Sequence, residues 1–122
     1  MPKILIAEDE LSIATLLRDI LEDEGYAVVL AQNGQEALDI LRTTRPALVM
    51  TDVMMPILNG FALCRAMQAD PAYQAIPVIV MSAITDSSAA EGCRASGFLK
   101  KPFNLQNIVD TITNVLGQAG QA

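Results

Sequence analysis

Five side chains in this sequence have the types and the spacing to do chemistry together: Glu8 and Asp9 in "ILIAEDE", Asp52 in "VMTDVMMPILNG", Ser82 in "PVIVMSA" and Lys101 in "FLKKPF". Each ends or follows a short apolar run. Three carboxylates brought together repel one another and raise at least one pKa unless a cation sits among them. Every ligand on offer is an oxygen, so a hard ion, Mg²⁺ or else Mn²⁺, suits the set better than zinc. Lys101 adds a fixed positive charge and Ser82 a hydroxyl. A metal, an ammonium, a hydroxyl and one carboxylate free to attack are suited to an incoming phosphoryl group, whose oxygens the two cations would neutralise. Asp52 is the candidate nucleophile.

These residues meet only if the runs before them are neighbouring strands. Residues 3–7, 27–30, 47–50 and 77–81 are continuous apolar runs, and 97–99 is a weaker fifth. Runs of this length, rich in Val and Ile and without polar alternation, suit parallel strands covered on both faces. Between them lie helical stripes. Ile13, Leu17, Ile20 and Leu21 form one, with Ser12 as its expected cap and Gly25 as its stop. Ala37, Leu38 and Leu41 form a second, ending before Pro46. Phe61, Cys64 and Met67 form a third, capped by Asn59 and closed by Asp70-Pro71. Leu105, Ile108, Val109, Ile112, Val115 and Leu116 form the last, capped by Asn104. Strand and helix alternate about five times, which predicts a doubly wound α/β sandwich with right-handed crossovers. In an open parallel sheet, ligands bind beyond the carboxyl ends of the strands. That is where all five chemical groups fall.

At 122 residues the chain has the size of one domain, expected to span 1–122 with a core over about 3–117 and a flexible tail at 118–122. No linker, internal repeat or second domain is visible. The composition, 52% hydrophobic and 18% charged with a net charge of −6, favours a compact fold and disfavours nonspecific binding to nucleic acid or anionic lipid. The acids at 8–10 cut the first apolar run far short of a signal peptide or membrane span, so a cytoplasmic location is expected. The chain has no histidine, which removes Ser-His and Cys-His nucleophilic catalysis and most zinc sites. Cys64 and Cys93 lack CxxC spacing and read as reduced, half-buried thiols.

The order and spacing of the four quoted motifs resemble the receiver domain of two-component response regulators, the fold of the chemotaxis regulator, over about residues 3–117. The resemblance implies a flavodoxin-like (βα)5 sandwich with strand order 2-1-3-4-5. It implies that Asp52 takes a phosphoryl group from a phosphohistidine on a separate histidine kinase or phosphotransfer protein. Asp9, Asp52 and the backbone carbonyl of Met54 would hold Mg²⁺, with Glu8 acting through water. Lys101 and Ser82 would contact the phosphoryl oxygens, and the Lys101-Pro102 peptide would be cis. Ser82 and Phe98 would form the switch, the aromatic following the hydroxyl inward; the plainer reading makes Phe98 a core residue. Met54 and Ile84 would flank the path of a hydrolytic water without orienting it, which predicts a long-lived phosphoryl-aspartate. Pro56 would stiffen the turn after the nucleophile and Gly60 permit the chain's return into the third helix.

The chain departs from the family between Ser82 and Lys101, where the segment is short and Gly92 would weaken a helix by roughly 1 kcal/mol relative to Ala. The helix expected there, over 85–95, is therefore short and irregular. Two enzyme-like or ligand-binding rivals are weaker. An aspartyl-nucleophile phosphatase would want a second acid at Met54, and a nucleotide or flavin binder would want glycines or hydroxyls where Glu8, Asp9 and Glu10 stand. A degenerate receiver, signalling by binding alone, would lack a site residue, and none is missing. The expectation is a stand-alone receiver, monomeric or dimerising on phosphorylation, whose output runs through contacts with a downstream protein target, without nucleic acid or membrane as partner. Its only chemistry would be its own phosphorylation and slow dephosphorylation.

Overall fold

The computed structural model describes residues 2–82 and 93–120, with side chains through residue 117. In chain order it holds β1 (Lys3–Ala7), α1 (Leu11–Asp23), β2 (Ala27–Ala31), α2 (Gly34–Leu41), β3 (Leu48–Asp52), α3 (Gly60–Gln68), β4 (Val78–Ser82), β5 (Gly97–Lys100) and α4 (Leu105–Gly120). The strands form one sheet, every pair parallel as the apolar runs predicted, in the order β2-β1-β3-β4-β5 that the resemblance implied.

Successive residues of a strand face opposite sides of a sheet, so an unbroken apolar run supplies two cores at once. Leu5, Val49 and Val80 face Leu63 and Met67 of α3, with Ala37 and Leu41 of α2 alongside. Ile4, Met50 and Ile79 face the other side, where Leu17 and Leu21 of α1 and Ile108 and Ile112 of α4 cover them. Each such side chain contributes about 1.5–3 kcal/mol when fully buried. The two edge strands are the exceptions. The first four residues of β2 are only half-buried, and in β5 only Leu99 is buried, because each lacks a neighbour on one side.

Three asparagines start helices, Asn59 and Asn104 as expected and Asn33 in addition. The side-chain oxygens of Asn33, Asn59 and Asn104 accept hydrogen bonds from the backbone N–H groups of Glu36, Ala62 and Asn107 at 2.8, 2.9 and 2.8 Å. Ser12 does not cap α1. The helix begins at Leu11, which puts the cap position at Glu10, whose side chain makes no capping hydrogen bond. Gly25 ends the same segment with φ 94°, a left-handed conformation that favours glycine. At the other end of the chain α4 continues through Gly117 to Gly120, into the stretch read as a tail.

Cys64 and Cys93 are joined by a disulfide, with their Cα atoms 5.5 Å apart, which corrects their reading as reduced thiols. Their separation of 29 residues forms no motif; the βα winding alone brings α3 and the approach to β5 together. The helix expected over 85–95 and the side chain of Ile84 lie outside the described residues, apart from 93–95, which are irregular.

Candidate functional site

Strand register positions the site. Ala7 pairs with Thr51, so the residues that follow them, Glu8 and Asp52, stand side by side where β1 and β3 end. Asp52 pairs with Met81 and Ser82 with Lys100, which places Ser82 beyond Asp52 and Lys101 beyond Ser82 along the same edge. The Lys101 N–H donates to the Ser82 carbonyl at 2.9 Å, extending the parallel pairing by one residue. The Lys101-Pro102 peptide is cis, as the resemblance implied.

Glu8, Asp52 and Ser82 are buried, while Asp9 is exposed and Lys101 partly so. The Lys101 ammonium lies 3.1 Å from Glu8 Oε1 and 3.1 Å from Asp52 Oδ2. The other Asp52 oxygen, Oδ1, accepts from the Val53 N–H at 2.8 Å. Glu8 Oε2 accepts from the Glu10 N–H at 3.3 Å. Carboxylate oxygens of Glu8, Asp9 and Asp52 all lie within 4.8 Å of one another.

Burial, and then the neighbouring Asp52 charge, raise the Glu8 carboxyl from 4.5 to about 7, although the Lys101 ammonium and the Glu10 N–H pull it back. Burial also pushes the Lys101 ammonium down, but its hydrogen bonds to Asp52 and Glu8 outweigh that and leave its pKa above the usual lysine value. One ammonium thus leaves part of the acidic charge uncompensated. A cluster of oxygen donors with surplus negative charge, half open to solvent through Asp9, fits a hard divalent cation.

The backbone around Asp52 is tightly built. Thr51 Oγ1 donates to the Asp52 carbonyl at 2.9 Å, and the Gly60 N–H donates to the Val53 carbonyl at 3.0 Å. A Cβ on Gly60 would overlap the Asp52 carbonyl oxygen, so this glycine is required by close approach of the helix start to the strand end. Between them the turn is sharp. Leu58 N–H bonds back to the Pro56 carbonyl at 2.7 Å around Ile57, whose φ is 69°, a left-handed conformation unfavourable for a β-branched residue. The Leu58 carbonyl in turn accepts from the Gly34 N–H at 3.0 Å, tying the turn to α2.

All five residues that the sequence singled out for phosphoryl chemistry therefore share one edge. Two others stand apart from it in burial. Phe98 is 58% exposed, which overturns its reading as a core phenylalanine. Met54 is 69% exposed at the turn after Asp52. Sequence reasoning missed Thr51 and Val53. The Val53 contribution is a backbone N–H, which no side chain announces, but Thr51 was visible as a lone hydroxyl inside an apolar run.

Residues 4–113 match the response regulator receiver domain family. The chain is 33% identical over 123 residues to the polar-differentiation response regulator DivK of Brucella anthropi, covering 98% of this chain and 100% of that one. It is 36% identical over 110 residues to the response regulator MprA of Mycolicibacterium vanbaalenii, covering 88% of this chain and 47% of MprA, so it spans only about half the length of that relative. Its fold superposes with a TM-score of 0.90 on the receiver domain of a signal transduction histidine kinase from Syntrophus aciditrophicus, at 35% identity and with 97% and 92% of the two chains covered. The chain belongs to the response regulator receiver domain family and is a receiver domain of two-component signalling. Among the described residues no helix is long and apolar enough to cross a membrane.

Proposed function

We propose that this domain is a switch driven by phosphorylation of Asp52, the donor being a phosphohistidine on a kinase or phosphotransfer protein. The observation that carries the reading is the pairing of a buried Asp52 carboxylate with the Lys101 ammonium at 3.1 Å inside a cluster of three carboxylates. In the reaction the phosphorus–nitrogen bond of the donor breaks as a phosphorus–oxygen bond to Asp52 forms, and the freed imidazole takes a proton from solvent. The Val53 N–H fixes the orientation of the Asp52 carboxylate. Lys101 and Ser82 bind the transferred oxygens, and Lys101 is already held at the edge by its two ion pairs. Asp9, Asp52 and the Met54 carbonyl would hold Mg²⁺, with Glu8 reached through water. When bound, that ion supplies neutralisation of the phosphoryl charge.

Beside the site, Ile13, Leu16, Ile20, Pro102, Leu105 and Ile108 border an apolar groove between α1 and α4 that ends at Lys101. Continuity with Lys101 makes this the face on which the donor protein docks, since a protein seated there brings its phosphohistidine to the open end of the site. Phe98 stands outward in this structure, the position from which it would follow Ser82 inward. Exposed Met54 supplies an apolar neighbour and no hydrogen bond to a hydrolytic water, which favours a slow loss of the phosphoryl group. Output passes to a downstream protein. A cytoplasmic location goes with this reading, since the donor must reach the site.

The test is chemical. The protein is incubated with acetyl phosphate and Mg²⁺ and then with neutral hydroxylamine, which cleaves acyl phosphates. Loss of the label in hydroxylamine is expected; a label that survives it would mean a hydroxyl ester and contradict Asp52 as acceptor.

A further inference from the structure

The chain's two cysteines are brought together by the fold, and the phosphoryl chemistry uses neither. Cys64 sits in α3, fully buried among Leu63, Met67 and Val80. Cys93 is half-buried on the stretch that leads into β5. Beside the disulfide is a second, independent link. Gln68, one turn along the same face of α3, donates from Nε2 to the Arg94 carbonyl at 2.8 Å and accepts at Oε1 from the Arg94 N–H at 2.9 Å. This clamp ties the same two segments through groups other than the sulfurs. It is the tie that would keep Cys93 beside Cys64 in the reduced form.

Cys93 also lies on the connection between two parts of the proposed site. The connection leaves β4 at Ser82 and returns through β5 to Lys101. A phosphoryl group on Asp52 places new oxygens where Lys101 now bonds the two carboxylates, so Ser82 and the strand leading to Lys101 must adjust. A bond from Cys93 to α3 opposes that adjustment.

We propose that Cys64 and Cys93 are a reversible thiol–disulfide switch that sets how readily the Asp52 site accepts a phosphoryl group, an inference whose coupling half rests on the phosphorylation reading above. The oxidant is a small disulfide such as oxidised glutathione. The half-exposed Cys93 thiolate attacks one of its sulfurs, forming a mixed disulfide and releasing one glutathione thiolate. Cys64 loses its proton to solvent, and its thiolate attacks Cys93 Sγ, breaking the mixed bond and releasing the second glutathione thiolate. Two protein thiols lose two electrons and two protons, and one small disulfide becomes two thiols.

The chain is equilibrated across ratios of reduced to oxidised glutathione, its free thiols are alkylated, and intact masses are recorded. Each form is then labelled with acetyl phosphate and Mg²⁺. The expected results are a single transition from two alkylated thiols to none, and labelling about fivefold slower in the oxidised form, the low end of ordinary coupling between sites. Cys93→Ser should label at the reduced rate in every buffer. Two alkylated thiols at all ratios would overturn the switch, and equal labelling rates for the two forms would overturn its coupling. Absence of label in both forms, with the thiol transition intact, would instead strike at Asp52 as acceptor and take the coupling with it.

Discussion

Lys101 Nζ stands 3.1 Å from Asp52 Oδ2 although β4 lies between their two strands. Strands are about 4.8 Å apart, so only a long side chain aimed along the sheet edge closes that gap, and the same ammonium reaches Glu8 on the next strand beyond. Lys101→Met keeps the stem and removes the charge. Labelling of Asp52 by a small phosphodonor should then fall about a hundredfold, the usual loss when one charge-stabilising donor is removed from a reacting centre. Labelling rates within a few fold of wild type would remove Lys101 from the chemistry.

The raised Glu8 carboxyl makes stability depend on pH in the metal-free protein. A folded pKa of about 7 against an ordinary 4.5 means that folding favours the protonated acid. Its contribution is fully present below the unfolded value and is lost as pH rises through the folded one. In the presence of a chelator, wild type should therefore lose stability relative to Glu8→Gln from about pH 5 to pH 8. Urea unfolding at several pH values measures the difference; a gap that stays constant or moves the other way would show that Glu8 is not held protonated.

Gly60 and Gly117 make opposite predictions. A Cβ at Gly60 would overlap the Asp52 carbonyl oxygen, whereas one at Gly117 meets nothing within 4 Å. Gly60→Ala should destabilise by about 3 kcal/mol, because the obstacle is backbone and cannot rotate away. It should also slow labelling, since the strain falls on the residue that carries Asp52. Gly117→Ala, inside α4, should stabilise by up to about 1 kcal/mol. Chemical denaturation of the two variants beside wild type checks both signs.

Leu16 separates docking from chemistry. It is 58% exposed on α1 at the border of the apolar groove, and its side chain has no polar atom to offer a phosphoryl group. Leu16→Asp should leave folding within about 0.5 kcal/mol of wild type and leave labelling by acetyl phosphate unchanged. Transfer from a phosphorylated histidine phosphotransfer protein should slow at least about tenfold, as expected for a charge set into an apolar interface. Equal rates from the protein donor would place docking elsewhere.

Much of the site was legible because strand ends are. In a parallel sheet the residue that closes an apolar run is carried to the ligand edge, so Glu8, Asp52, Ser82 and Lys101 could be placed together before any contact was known. The asparagine caps were equally local. What escaped depended on contacts that no local pattern records. The Cys64–Cys93 bond joins residues 29 apart through the winding of the chain; a role for Gly60 in the return to α3 was expected, but not the close approach to the Asp52 carbonyl that requires it. Ser12 looked like a cap by type, but α1 starts two residues earlier than that cap implies, at Leu11. The half-buried β2 read as interior because an apolar run does not reveal that it lies at the edge of its sheet.

The account stands most directly on Asp52 as the acceptor. Wild type and Asp52→Asn are incubated side by side with acetyl phosphate and Mg²⁺, and the intact chains are weighed. Wild type should gain the mass of one phosphoryl group and lose that gain when the metal is chelated beforehand, while Asp52→Asn gains none. Equal labelling of the two proteins would contradict the account.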